Sequence, residues 1–176
     1  MKTPRAFRIE PYLLNLAGEY RVCSELAKRG LLPCLTFGNY KGADIYVVGA
    51  RGQWALRIEV KASQKRHFVT AMHKKYSGNS APRPDFWVLC SITRSGEGAF
   101  SDRFFVLSHR ELARIQRART RRYRRRYRER HGRDFDQSRG VDRVGIDDVK
   151  EHEGAWGKIG AAIEASQRRE GPPLRR

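Results

Sequence analysis

A mixed α/β domain is the fold class this sequence predicts, and three patterns carry the prediction. The run WALRIEVK alternates cleanly, with Leu56, Ile58 and Val60 on one side and Arg57, Glu59 and Lys61 on the other, the two-residue period of a β-strand. Residues 12–29 carry apolar positions at helical spacing and end at Gly30, the pattern and stop signal of an amphipathic helix. Ser108, with Glu111 three residues on, forms a capping box directly after the apolar run FFVL, so a strand hands over to a helix there.

The elements follow in order. After the first helix, LLPCLTF reads as a short strand interrupted near its start by Pro33, and GNYKG as a glycine-bearing turn. Asp44 opens a second apolar run, IYVV; ARGQ is a hairpin-like turn, and WALRIEVK is the third strand. Phe68, Ala71, Met72 and Tyr76 are spaced for a short helix that ends at SGNSAPRP. FWVLCSI is a buried strand and FFVL another, and the helix capped by Ser108 runs through an arginine block to a stop at Gly132. VDRVGIDDV supplies a short strand or turn, and Trp156, Ile159 and Ile163 mark a closing helix with one packed face. The 176 residues suit a single domain, 1–166, which includes the arginine-rich segment 109–133; a flexible basic tail, 167–176, follows.

Hydrophobic residues make up 39 % of the chain and charged residues 32 %, the profile of a globular protein with a heavily charged surface. A formal charge of +18 repels itself unless a polyanion shares the surface, so nucleic acid is the expected partner, ahead of an anionic membrane face. No apolar stretch approaches a membrane span, and MKTPRAFRIEPYLL lacks the apolar segment and cleavage site of a signal peptide. Cys23, Cys34 and Cys90 are scattered and odd in number, which disfavours a disulfide scaffold or cysteine-built zinc site and fits a reducing cytoplasm.

Three features stand out from core patterning. On the first helix, Tyr12, Leu16, Val22, Cys23 and Leu26 all fall within about 60° of Glu19, so a carboxylate sits in the middle of an apolar stripe. Burying it costs several kcal/mol unless something pairs with it. Asp44 stands at the mouth of a strand, after the small residues Gly42 and Ala43, and Glu59 and Lys61 share one strand face. A short hairpin between the strands of Asp44 and Glu59 would bring the carboxylates together, where they repel unless a cation sits between them. Oxygen donors with no histidine or thiolate nearby specify Mg²⁺, with Mn²⁺ the alternative. A lysine beside such an ion can orient a water or steady a developing phosphorane, as phosphodiester hydrolysis requires. The ordinary readings are a turn-forming Asp44, a buried ion pair at Glu19 and a half-exposed strand face at Glu59 and Lys61.

GEYRVCSELAKRG, KGADIYVV and LRIEVKASQ together resemble the PD-(D/E)XK nuclease superfamily, in particular its small single-domain members related to intron-encoded endonucleases and archaeal-type Holliday junction resolvases. The resemblance covers roughly residues 15–66. It implies a restriction-endonuclease-like mixed sheet of four to five strands flanked by helices. It also implies metal-dependent endodeoxyribonuclease activity on DNA leaving a 5′-phosphate, with a homodimer as the assembly that cuts both strands. On this resemblance Asp44 and Glu59 are metal carboxylates, the Val60 carbonyl a further ligand, Glu19 a supporting acid and Lys61 the catalytic lysine. Gln64 falls where several subgroups place a polar residue near the scissile phosphate. Ala43 replaces the proline that names the motif; a literal Pro84-Asp85 occurs in the wrong order, after Glu59 and Lys61, and reads as the start of a strand.

Eleven arginines and a single acid, Glu129, fall between Arg114 and Arg133, so over half the net charge lies in twenty residues. Past Leu112 and Ile115 the helix has little to bury, and arginines three and four apart repel one another. Arg121, Arg122, Arg124, Arg125 and Arg126 are candidate phosphate contacts, with affinity rather than base choice as their role. Lys65, Arg66 and His67, just past the proposed centre, are candidates for flanking phosphates. The tryptophans read as packing residues. Two rival functions share these features: a nucleic-acid-binding protein on the same fold without catalysis, and an RNA-associated basic structural protein.

Overall fold

The computed structural model describes residues 7–36, 42–49, 54–76, 82–95, 98–136 and 142–169. Most of the GNYKG turn, the ARGQ turn, the start of SGNSAPRP and residues 170–176 of the tail lie outside the described residues.

Helix α1 (Pro11–Ala27) starts with proline at its first position, and the Glu10 carboxylate accepts from the Tyr12 and Leu13 N–H groups at 2.9 and 3.2 Å. Strands β1 (Leu32–Leu35), β2 (Ile45–Val48) and β3 (Ala55–Ser63) follow as successive antiparallel neighbours. Strands β5 (Phe86–Ser95) and β6 (Ala99–Ser108) form a second antiparallel pair, and β5 lies parallel to β3. The result is one five-stranded mixed sheet in the order β1-β2-β3-β5-β6. A parallel neighbour requires a crossover. Here it consists of β4 (His67–Val69) and α2 (Met72–Tyr76).

This crossover corrects the sequence reading at one point. Phe68 belongs to a strand, not to the short helix, because β4 pairs with β7 (Arg143–Gly145) in a second, two-stranded sheet. Such a partner, more than seventy residues away, leaves no local trace. Helix α3 (His109–His131) has the predicted capping box and ends at Gly132, whose φ of 64° suits glycine in a left-handed helix cap. A short helix α4 (Ile146–Val149), a 3₁₀ turn at Lys150–His152 and the closing helix α5 (Gly157–Arg169) complete the described chain. Residues 167–169 of the expected tail are therefore helical, with Arg168 paired to Glu164 at 3.3 Å.

The sheet is buried on both faces. Val22 and Leu26 of α1 and Ile159 and Ile163 of α5 cover Ile58, Val60 and Val88; α2 and Leu112 of α3 cover Trp87, Leu89 and Phe105 on the other side. On the polar face of β3, Arg57 and Lys61 stay partly exposed while Glu59 is fully buried. On α1, Tyr12 is exposed rather than part of the packed stripe. The helix packs closely at Gly18, where a Cβ would lie 2.7 Å from that of Ala62. Only glycine lets the helix sit this low on β3, and Glu19 is the next residue. Among the described residues, no helix is long and apolar enough to cross a membrane.

Candidate active site

The first carboxylate is placed by the β2–β3 hairpin. Asp44 lies one residue before β2; its N–H donates to the Ile58 carbonyl at 3.0 Å, and its Oδ2 accepts the Val60 N–H at 2.7 Å. In an antiparallel ladder a residue turns its N–H and C=O toward the same neighbouring strand. The Val60 carbonyl therefore lies on the Asp44 side as well.

Glu59 is the most committed group. Its Oε1 lies 2.8 Å from the Lys61 ammonium and 2.7 Å from that of Lys75; its Oε2 accepts from Lys75 at 2.7 Å and from the Tyr76 hydroxyl at 3.1 Å. Burial alone would raise the Glu59 pKa, but Lys61 and then Lys75 outweigh it and hold the carboxyl below its ordinary value.

The same four charges feel one another. Burial would lower the Lys61 pKa, yet Glu59, Asp44 and Glu19 together raise it. Asp44 is pushed up by burial, with Lys61 opposing and Glu59 adding to the rise. Glu19, half-buried on α1, is raised by burial and then by Asp44. Glu19, Asp44, Glu59 and Lys61, the residues that sequence spacing singled out, thus lie near enough to shift one another's ionisation at the open end of the β2–β3 hairpin.

Gln64 is tied to the chain ahead of α1. Its Oε1 accepts the Ile9 N–H at 2.8 Å, tying the approach to α1 onto the end of β3. Lys65 and Arg66 are exposed, Arg66 reaching Asp147 at 3.4 Å. His67 is the first residue of β4; burial, then Arg143, Lys65 and Arg119 hold its pKa down, which marks a local gathering of cations. Arg121, Arg122, Arg124, Arg125 and Arg126 lie on the exposed part of α3, Arg122 bound to Asp148 at 3.1 Å and Arg125 to Glu129 at 3.7 Å. Asp85 ties strands together, its carboxylate accepting the Arg57 N–H at 2.8 Å. Trp87 and Trp156 are packing residues, as expected.

Lys75 and Tyr76 escaped the sequence reading. Tyr76 counted only as an apolar position of the short helix, and Lys75 was not singled out. The one usable signal was Glu59 itself: a carboxylate in an apolar strand demands cations, but no spacing rule says which lysine supplies them.

Among the described residues, no group of three or more His, Cys, Asp or Glu side chains is gathered to hold a metal ion. Comparison with family models, curated proteins and solved structures finds no match for this chain. The geometry is what carries a functional reading.

Proposed function

We propose that the protein is a metal-dependent endodeoxyribonuclease that hydrolyses DNA phosphodiester bonds, with the resemblance to the PD-(D/E)XK superfamily as its frame. The observation that carries this reading is the meeting of Asp44, Glu59, Lys61 and Glu19 at one strand junction on a +18 protein.

The donor set suits a hard divalent cation. Asp44 and Glu19 both sit above their ordinary pKa because burial and neighbouring negative charge disfavour ionisation. A nearby cation reverses that penalty. Asp44, Glu19, Glu59 and the Val60 carbonyl offer oxygen only, the preference of Mg²⁺ or Mn²⁺. Glu59 already holds two ammoniums, so its share in binding an ion requires one of them to move aside. When bound, the ion supplies polarisation of a phosphoryl oxygen and a more acidic water. The chain's own contribution is orientation. Glu59 fixes the Lys61 ammonium, which is placed to attract a phosphate and position a water, and the Asp44 carboxylate is held in place by the Val60 N–H. The described cysteines are free, and a reducing, cytoplasmic setting belongs to this reading.

The test is incubation with linear, nicked and four-way-junction DNA in Mg²⁺ or EDTA. Products ending in 5′-phosphate, formed only with Mg²⁺ and absent with Glu59→Gln, support the reading; intact DNA under all conditions overturns it. A second reading, a nucleic-acid-binding protein on the same architecture without catalysis, has a specific observation in its favour: both Glu59 oxygens are already taken by protein cations.

A further inference from the structure

Helix α3 divides at Gln116. Leu112 and Gln116 are buried, but from Arg117 onward no residue of the helix is. Fifteen residues, about 22 Å of helix, continue past the core to His131. Two ties root this arm: Arg119 and Arg122 both bind Asp148, at the foot of the extension. The chain leaving the helix then folds back, with Phe135 against Tyr123 and Tyr127 at 5.0 and 5.2 Å and Asp134 against Arg128 at 2.6 Å.

The arginines are not spread at random. Arg110, Arg114, Arg117, Arg121, Arg124 and Arg128 recur at intervals of four, three, four, three and four, and all are exposed. At about 100° per residue they form one stripe along the solvent side. In the arm, Arg122, Arg126 and Arg130 add cations on the flank, so arginines occupy an arc of about 240°. Opposite the middle of that arc lie Tyr123 and Tyr127, closed over by Phe135. Arg117, Arg121, Arg126 and Arg130 form no ion pair among the described residues, although like charges three and four apart oppose helix formation.

We propose that this arm lies in the major groove of B-form DNA, its arginine arc facing the two phosphate walls and its tyrosine side outward. A single flat row of phosphates would call for one stripe; cations on both flanks of a rod fit two walls. A helix with its side chains is about 10–12 Å across, and the B-DNA major groove is about 12 Å wide. The major groove of A-form RNA is too narrow to admit it. The anchored end of α3 adjoins the carboxylate site, because His109 stacks edge-on against Tyr76 at 5.4 Å and Tyr76 bonds Glu59. DNA held by the arm is thus held beside that site. The inference rests on the reading of DNA as substrate and deepens it: the substrate must offer about six base pairs of duplex beside the point of attack, at 3.4 Å per pair.

Binding is measured by fluorescence anisotropy in EDTA, so that a protein that binds as described but never cuts in Mg²⁺ refutes the nuclease reading alone. The probes are a 20-base-pair DNA duplex, the same sequence as double-stranded RNA, and the DNA duplex with bulky substituents at pyrimidine C5, which fill the major groove. Wild-type protein is expected to bind the RNA and the bulked DNA at least about ten-fold more weakly than plain DNA. The variant R117Q/R121Q/R126Q/R130Q is expected to lose at least about thirty-fold in affinity and to flatten the slope of log affinity against log salt by about 3 to 4. Control variant R21Q/K28Q/R94Q/R168Q, which removes the same formal charge elsewhere, should change affinity less than about three-fold. Equal binding of RNA, indifference to the C5 substituents, equal losses in the two variants, or no DNA binding would each overturn the proposal. The two wild-type comparisons hold even if a variant folds poorly.

Discussion

The carboxylate pocket and the distal half of α3 hold charge in opposite ways. In the pocket, charges are few, buried and matched: Glu59 is fully enclosed and bound by Lys61, Lys75 and Tyr76. On the arm they are many, mostly exposed and, but for Glu129, of one sign. Electrostatics in a dry pocket is strong and short-ranged, so each group is set by named neighbours. Charge on an exposed helix is screened by salt, and what counts is the number of cations facing a polyanion. Replacing one residue should therefore matter greatly in the first region and little in the second.

The sharpest test of this contrast is catalytic. Lys61→Ala is expected to reduce Mg²⁺-dependent cleavage by about 10²- to 10⁴-fold, since a positioned group is removed. Its DNA affinity should change only a few-fold, because one cation among many is lost. Asp44→Asn and Glu59→Gln should also stop cleavage yet bind DNA as well as wild type or better, each removing negative charge that faces the phosphate. Full cleavage by Lys61→Ala, in protein shown by circular dichroism to be folded, would break the contrast and the catalytic assignment with it.

Two stability measurements follow at smaller magnitude. Gly18→Ala places a methyl 2.7 Å from the Ala62 Cβ, so α1 must rise from β3. The expected cost is about 1–3 kcal/mol of overpacking, and Glu19 should move away from Asp44. Urea denaturation reads the first effect, and a Glu19 titration lying closer to an ordinary glutamate reads the second. Lys75→Met leaves Glu59 with one ammonium and should cost about 1.5–3 kcal/mol, the range of a hydrogen bond to a charged group. Arg121→Gln, on the arm, should shift stability by less than about 0.5 kcal/mol. A Lys75 variant as stable as wild type would show that Lys61 and Tyr76 suffice to hold the buried carboxylate.

What the sequence disclosed follows the same division between local and distant causes. The α1 stop, the β3 alternation and the Ser108–Glu111 capping box are each set by residues a few positions apart, and all were legible. Asp44 and Glu59 were legible because a hairpin joins their strands and Glu19 because it interrupted an apolar stripe. Phe68 was misplaced, since its strand exists only through Val144 across the small sheet. The burial of Glu59 was not legible for a related reason: Lys75 and Tyr76 of α2, which no local pattern connects to β3, close over it. Gln64 was read by analogy as a group near the phosphate; its bond to Ile9, fifty-five positions earlier in the chain, was not legible.

A smaller effect than those of Gly18 and Lys75 is expected at the hinge between the two regions, where α3 leaves β6. Burial would raise the Glu111 carboxyl, but the Lys158 ammonium at 2.7 Å, with the Ser108 N–H and hydroxyl, pushes it down to about 2. A carboxyl depressed in the folded state contributes stability that is fully present above its unfolded value, near 4.5, and is lost as the pH falls through about 2. Glu111 is partly exposed, and solvent screening keeps the contribution within about 1 kcal/mol. The check is the stability difference between wild type and Glu111→Gln, measured by urea denaturation at pH 5, 4 and 3. That difference should shrink steadily toward acid, because below about pH 4.5 the unfolded wild-type chain takes up a proton at Glu111 that the folded protein does not, and the Gln variant has none to take up. A difference that stays constant with pH would mean the capping box acts through its neutral hydrogen bonds. The anchored end of α3 would then resemble the arm, where single charges count for little, rather than the pocket, where they set the structure.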